Sequence, residues 1–464
     1  MNHSVATVPH VDAGIGALRA VVAGEVFAPT DAGYDAARSA FNLALDLRPA
    51  AIVVADSAAD VVNTVRYART AGLRIAPQGT GHGASALGGL DETILLKTTR
   101  MRGVEIYPAT RTARVEAGAE WQDVTVPAAE YGLAALAGSA ADVGVVGYTL
   151  GGGLGWLARR YGLSANSVAS VEIVTPDGRL LNVDARHEPE LFWAVCGGGG
   201  GVGVVTAIEI KLYPVREAYA GALFFPLERA SEVLHAWREW TDTVPEELTS
   251  VGRIIQFPPI PEVPEPLRGN SFTVIEAAYL GDEFEGAELI RPLRELGPAI
   301  DTFAMVPAPA LQQLHMDPPE PVPYGGDGIL LADAPAGAID ALVAAAGPGS
   351  NSPLLSVEFR HLGGALADGP ADAAQGRIDA KYAMFAVGMA VTPEMGEAVG
   401  SHIRVIKETL APWRADFNYY NFVESQAGAD EVLPADSYRR LRAIKAKYDP
   451  TEMIVSAHPV RPAR

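Results

Sequence analysis

Over the first half of the chain, short apolar runs alternate with turns marked by glycine. Residues 51–54 form an unbroken run of small and branched apolar side chains, which predicts a buried strand. Beyond Ser57, a helix-capping residue type, Val61, Val62, Val65 and Ala68 recur at helical spacing until Gly72 stops the pattern. Residues 73–77 return to strand character, so the three pieces predict a strand–helix–strand unit with a right-handed crossover. Residues 94–97 predict another strand. At 112–117, Ala113, Val115 and Ala117 alternate with Thr112, Arg114 and Glu116, the two-residue period of a half-buried strand. A short helix is predicted over 121–131, then a strand over 168–174 closed by the turn Pro176-Asp177-Gly178. A brief helix over 190–195 and a long strand over 204–212, ended by Pro214, complete this half.

Past that proline the pattern changes. Strands are predicted over 218–225, 271–279, 354–360 and 382–388, and an amphipathic helix within 223–240 carries Leu227, Val233, Leu234, Trp237 and Trp240. Residues 336–346 predict a helix, with Pro335 where a first-turn proline is tolerated. The proline-dense stretches 257–266 and 317–327 read as loops. Near the end, 417–423 predicts a strand and 437–448 a helix stopped by Asp449-Pro450. The block from about 217 to 405 therefore predicts a second α+β domain built on an antiparallel sheet.

Length and charge narrow the classes. At 464 residues the chain holds two or three domains' worth of core. A formal charge of −20, from 36 basic and 56 acidic side chains, argues against nucleic acid or an anionic membrane as a partner. The single cysteine, Cys196, excludes an internal disulfide framework and a cysteine-rich metal site, and the nine histidines are too scattered to predict a metal. The chain starts with His3, His10 and Asp12 ahead of Arg19, without a signal-peptide pattern, which leads to the expectation of a cytoplasmic protein.

The densest chemical signal is Gly79-Thr80-Gly81-His82-Gly83, directly after a predicted strand. Gly79, Gly81 and Ala84 match a loose dinucleotide pattern, but the long helix that pattern needs is replaced by another glycine pair and a strand. Gly198, Gly200 and Gly203 likewise run into the strand at 204. What such segments share is side-chain-free backbone whose amides can form a nest for phosphate oxygens. A third stretch, 138–155, carries glycine at 138, 144, 147, 151, 152, 153 and 155. Three such loops at strand boundaries point to one extended phosphate-bearing cofactor; the alternative is a glycine-rich fold with many tight turns.

Residues 48–217 resemble the FAD-binding domain of the vanillyl-alcohol-oxidase and p-cresol-methylhydroxylase (PCMH) superfamily. The ordered motifs are the glycine–histidine loop, 138–155, Arg160-Tyr161-Gly162-Leu163, Glu190-Leu191-Phe192-Trp193-Ala194, Tyr419-Tyr420-Asn421-Phe422 and the closing Lys445-x-x-Tyr448-Asp449-Pro450, and together they resemble the berberine-bridge-enzyme-like branch. The resemblance implies an α+β, two-domain PCMH-type fold: an FAD-binding domain over 1–216, an antiparallel-sheet substrate domain over 217–404, and a segment over 405–464 that returns to the FAD domain. It also implies FAD contacts at Gly79, Thr80, Gly81, His82, Gly83 and Ala84, at Gly138, Ala140, Val143, Gly144, Gly147, Tyr148, Gly152 and Gly153, and at Val204 and Asn421.

His82 stands where the family joins histidine to the flavin 8α carbon. Many relatives add a cysteine bond, but that position is Ala140 here, so the resemblance implies a single covalent link. Tyr148 stands near the flavin's pyrimidine side, where its hydroxyl is suited to donate toward charge that develops on reduction. The family's Tyr-x-Asn-Tyr motif ends in Phe422, which cannot accept a proton. Strand alternation over 417–423 would put Tyr420 on the same face as Phe422, with its phenol pKa lowered by Arg360, and so assigns Tyr420 the proton-transfer role. Glu358 and His361 are the alternatives.

The implied function is hydride transfer from an alcohol, sugar or related CH–OH donor to covalently held flavin, with oxygen as the expected acceptor and hydrogen peroxide as product. The rivals are a flavin dehydrogenase using another acceptor and a non-enzymatic flavin-bearing protein, the latter motivated by Phe422.

Overall fold

In the computed structural model, residues 11–369 and 373–464 are described; His3 and His10, which entered the expectation about localisation, lie outside them. The strand Ala51–Val54 leads into the helix Ala58–Ala71, whose N-cap Ser57 accepts a hydrogen bond from the Asp60 amide and whose C-cap Gly72 is left-handed at φ 69°. The helix leads to the strand Arg74–Gln78, as the pattern predicts. The two strands are not neighbours, because Thr93–Lys97 pairs in parallel with both and lies between them. Glu25–Phe27 closes the other edge antiparallel. Ser57→Ala removes the cap and is expected to lower stability by about 1 kcal/mol in a denaturant titration.

A second, five-stranded antiparallel sheet packs beside it, in the order Val104–Tyr107, Thr112–Glu116, Val204–Lys211, Val168–Val174, Leu180–Val183. Its core gathers Trp121, Val171, Ile173, Ile208 and Ile210 with Leu441 and Ile444 from the last helix, Ala435–Tyr448. The C-terminal segment therefore completes the first domain's core.

The roof is an antiparallel sheet of the second domain, in the order Ile300–Asp301, Glu217–Pro226, Ser271–Tyr279, Leu248–Gln256, Ser356–His361, Tyr382–Met389, Tyr324–Leu331; Ala304–Pro307 adds to the Glu217–Pro226 edge. One face carries Leu223, Ile254, Ile275, Phe359 and Met384 and packs under the helices Ala230–Thr241, Ala336–Ala346 and Pro393–Thr409. The opposite face turns toward the first domain.

Four expectations need correction. Residues 324–327, read as loop, open the strand Tyr324–Leu331. Pro335 is the N-cap of its helix rather than a first-turn residue. The helix Pro393–Thr409 runs across the expected 404/405 junction, so the chain returns to the first domain only after it. Most consequential, 417–423 is no strand: Tyr420–Phe422 is a turn of 3-10 helix, with the Phe422 amide donating to the Tyr419 carbonyl at 3.0 Å. This segment crosses from roof to floor, and the side chains of Tyr419 and Asn421 bond the floor instead of a sheet partner. Among the described residues, no helix is long and apolar enough to cross a membrane.

Candidate functional site

After the strand Arg74–Gln78, Gly81 at φ 89° turns the chain into the short helix His82–Ala86. That turn presents His82, whose ring is held from three sides. Phe41 stacks on it at 3.8 Å between centroids, and Thr80 Oγ1 lies 2.8 Å from Nδ1. Asp142 Oδ2 lies 3.1 Å from Nε2, close in charge and distance but without hydrogen-bond geometry. Thr80 Oγ1 also accepts from the Gly144 amide at 3.3 Å, which ties this loop to the 138–155 stretch.

Within that stretch the helix Val145–Leu150 starts at Gly144 and carries Tyr148, whose ring meets Trp121 edge-on at 5.4 Å. The Tyr148 hydroxyl is buried without a partner, and burial raises its pKa well above that of free tyrosine. The glycines serve two purposes. A Cβ at Gly151 would sit 1.8 Å from Asn421 Oδ1, so that glycine admits the closing segment. At Gly83 and Gly147 a Cβ would meet nothing within 4 Å, so backbone there faces open space.

On the roof face opposite, buried charges form a chain. Arg253 Nη2 is 2.5 Å from Glu276 Oε1, and His315 bridges the two carboxylates, with Nδ1 at 2.5 Å from Glu276 and Nε2 at 2.7 Å from Glu358. Arg360 Nε donates to Glu358 at 2.5 Å, and the Arg360 guanidinium lies over the Phe422 ring at 5.1 Å. Burial alone would lower the His315 pKa, but Glu276 and Glu358 outweigh it and raise the value to about 9. Glu358 is pulled the other way: burial would raise it, yet Arg360 and His315 hold it far below the usual carboxylate range.

Gln78 and Gln375, both buried, leave their amide nitrogen and oxygen without protein partners, as does the Tyr148 hydroxyl. Unsatisfied buried polar atoms are costly, about 1–3 kcal/mol each, and a ligand with an alternating donor–acceptor edge removes that cost. The flavin ring has such an edge, and the open backbone at Gly83 and Gly147 suits a close-lying cofactor, so the donor set fits FAD.

A family model described as an FAD binding domain matches residues 49–184. The FAD-linked oxidoreductase YgaK of Bacillus subtilis (strain 168) is 30% identical over 59% of this chain. (R)-6-hydroxynicotine oxidase of Paenarthrobacter nicotinovorans is 37% identical over 43%. The matched stretches span 59% and 44% of those relatives' own lengths. The solved structure of Physcomitrella patens BBE-like 1 superposes with a TM-score of 0.83 at 20% identity, over 97% of this chain and 99% of that one, which is likeness of fold. Residues 49–184 thus match an FAD binding domain, and over the aligned stretches the chain is similar to FAD-linked oxidoreductases.

The residues expected from the sequence sort by what they touch. Thr80, His82 and Gly144 are directly linked, and Gly138 backs onto Tyr148. Gly79 lies beside the Ala117 carbonyl, and Gly152 and Gly153 take positive φ beside Tyr419, Ser164 and Tyr148. Ala140 lies between Ser139, which bonds Asp317, and Ala141, whose carbonyl accepts from Gln122. Val143 packs against the floor's core, while Ala84 and Val204 are buried in core clusters, so these three offer backbone rather than side chain to a ligand. Asn421 Nδ2 donates to the Tyr148 carbonyl at 2.9 Å and to the Tyr419 hydroxyl at 3.3 Å, and so reaches the site through Tyr148.

Tyr420 is turned elsewhere. Its ring packs on His458 at 4.6 Å, its hydroxyl lies 3.5 Å from the Gly199 carbonyl, and burial pushes its pKa up to about 12 rather than down. The shared face with Phe422 fails because the segment is a turn of helix. Tyr419, next in sequence, is the one that faces Phe422, at 5.0 Å between rings, and its hydroxyl accepts from the Gly153 amide at 2.9 Å. His361 shares the face of Phe359, and burial together with Arg159 pushes its pKa down to about 2. Sequence reasoning missed Asp142, Gln78, Gln375, His315 and Glu424; of these Asp142 lies within the 138–155 stretch, Gln78 directly precedes the Gly79–Gly83 loop and Glu424 lies two residues beyond the Tyr419–Phe422 motif, whereas Gln375 and His315 had no signal in the sequence. Among the described residues, no group of three His, Cys, Asp or Glu is placed to hold a metal ion.

Proposed function

We propose that this protein is an FAD-dependent oxidoreductase that removes hydride from an alcohol, sugar or related CH–OH carbon, with its flavin joined through His82 alone and oxygen as the acceptor. The carrying observation is the clamp on His82: Phe41, Thr80 and Asp142 fix one ring beside backbone that meets open space at Gly83. Asp142, 3.1 Å from Nε2, supplies a negative charge that would steady the ring as it gains positive character while acting as a nucleophile. Gln78, Gln375 and Tyr148 would hold the flavin by its polar edge. When bound, FAD supplies the two-electron acceptor that no side chain provides. The protein's own part is to seat the donor between the Tyr148 helix and the charged roof and to take up its acidic proton.

The purified protein is expected to be yellow and to keep its colour in an acid-precipitated pellet. Rapid reoxidation in air, followed by stopped flow with peroxide detection, supports an oxidase; reoxidation only by a quinone would make it a dehydrogenase. Tyr148→Phe is expected to retain the flavin yet slow its reduction by about 10²-fold, the usual effect of removing one donor aimed at developing charge.

A further inference from the structure

Each group first suited to accept the donor's proton is committed elsewhere. Phe422 has nothing to ionise, Tyr420 is turned into the floor, and Glu358 is held ionised by Arg360 and His315. His361 is paired with Arg159 on the other face of its strand.

Two residues beyond Phe422, Glu424 leaves the 3-10 turn at the junction of both domains. Its Oε1 accepts from the Tyr324 hydroxyl at 3.2 Å, and its Oε2 is buried without a partner. The carboxyl lies beside Gly326, where an added Cβ would also touch the Phe385 ring, and Phe385 packs on Phe422 at 5.2 Å. From the floor comes Ser85, three residues past His82, whose side chain favours the ionised form of Glu424; Asn42 joins Ser85 to the Tyr324 carbonyl. Glu424 thus stands between the loop that carries His82 and the aromatic end of the closing motif.

We propose that Glu424 is the catalytic base of this protein, taking the donor's O–H proton on Oε2. This rests on the oxidoreductase reading above. The oxygen–hydrogen pair stays on the donor's oxygen as the proton moves to Glu424, the carbon's hydride passes to the flavin, and the carbon–oxygen bond becomes a carbonyl. The proton then leaves to solvent.

The surroundings suit the task. Burial raises the Glu424 pKa to about 7, with Asp327 adding to the rise while Ser85 and Tyr324 hold it back by donating to the ionised form. Asp327 is itself paired with Lys407 and accepts from the Glu424 amide and the Ser425 hydroxyl, so its charge is partly spent. A base poised near neutrality is the efficient kind.

The test combines a resting and a turnover measurement on the flavin-loaded protein. Infrared titration of the oxidised, donor-free protein is expected to show a protonated carboxylic acid that ionises near pH 7 and is absent from Glu424→Gln. Benzyl alcohol, glucose and benzylamine serve as probe donors. With any alcohol that reduces the wild type, Glu424→Gln is expected to cut the reduction rate by about 10²- to 10⁴-fold, leave KM within a few-fold, and abolish the decline below pH 7. Tyr324→Phe removes a donor to the ionised carboxylate, so the decline should persist and move to higher pH. Glu424→Asp guards against misfolding and should keep a slower, pH-dependent reaction. A wild-type spectrum without an acid titrating near pH 7, or Glu424→Gln with wild-type rate and pH profile, overturns the proposal. A wild type that takes up no FAD instead overturns the functional reading.

Discussion

Replacing His82 with alanine is expected to empty the acid-precipitated pellet of colour and leave the flavin in the supernatant, while the wild-type pellet stays yellow. The effect is close to all-or-none, because the proposed attachment is a single bond and Ala140 offers no second one. His82 also contributes a stacking surface to Phe41 at 3.8 Å, so the variant loses ring packing along with the bond. A bond to the flavin's benzenoid edge withdraws electrons from the ring; without it the potential should fall and reduction should slow. Asp142→Asn separates attachment from binding. With the Nε2 neighbour neutral, the ring should bond more slowly and a fraction of the flavin should come away with acid, even though the stack is intact. A wild type that releases all its flavin in acid removes the covalent proposal and leaves the FAD binding domain match untouched.

How much of this was legible beforehand depends on where each residue's reasons lie. The strand Val168–Val174 and the helix Ala58–Ala71 were readable because their patterns answer to local periodicity and local caps. The strand Leu248–Gln256 was not. It carries Gly252 and Arg253, which look like interruptions until Trp237 is found against the glycine and Glu276 beside the arginine. Tyr324–Leu331 was hidden in the same way, because Gly328 is required by the Phe422 backbone packing on it from far along the chain. In the site, His82 was legible as part of a contiguous motif. Asp142 and Glu424 gain their meaning from partners distant in sequence, and Tyr420 was misplaced because the aromatic-rich residues 417–423 read as a strand but have no strand to pair with.

The largest stability effect is expected from Arg253→Met. Arg253 is 2% exposed and Glu276 fully buried, so removing the cation leaves a carboxylate that water cannot reach with His315 as its remaining charged partner. Breaking one partner of such a pair typically costs about 3–5 kcal/mol, whereas exchanging both for apolar groups is often nearly neutral. Arg253→Met with Glu276→Met should therefore recover much of the loss, and the non-additivity measures the pair. The same chain of charges sets a pH window. His315 has its pKa raised from 6.5 to about 9, so its contribution is complete below about 6.5 and is lost as pH rises through 9. Glu358 has its pKa lowered, so its contribution is complete above the ordinary value of 4.5 and is lost as the solution becomes strongly acidic. Thermal stability should thus be flat between about pH 5 and 6.5 and decline on both sides. His315→Gln should flatten the alkaline decline attributable to this cluster, at the cost of a lower maximum. If Arg253→Met melts with the wild type, or if His315→Gln keeps the full alkaline decline, the roof face is wetter than its burial indicates and the charges are solvated rather than locked to one another.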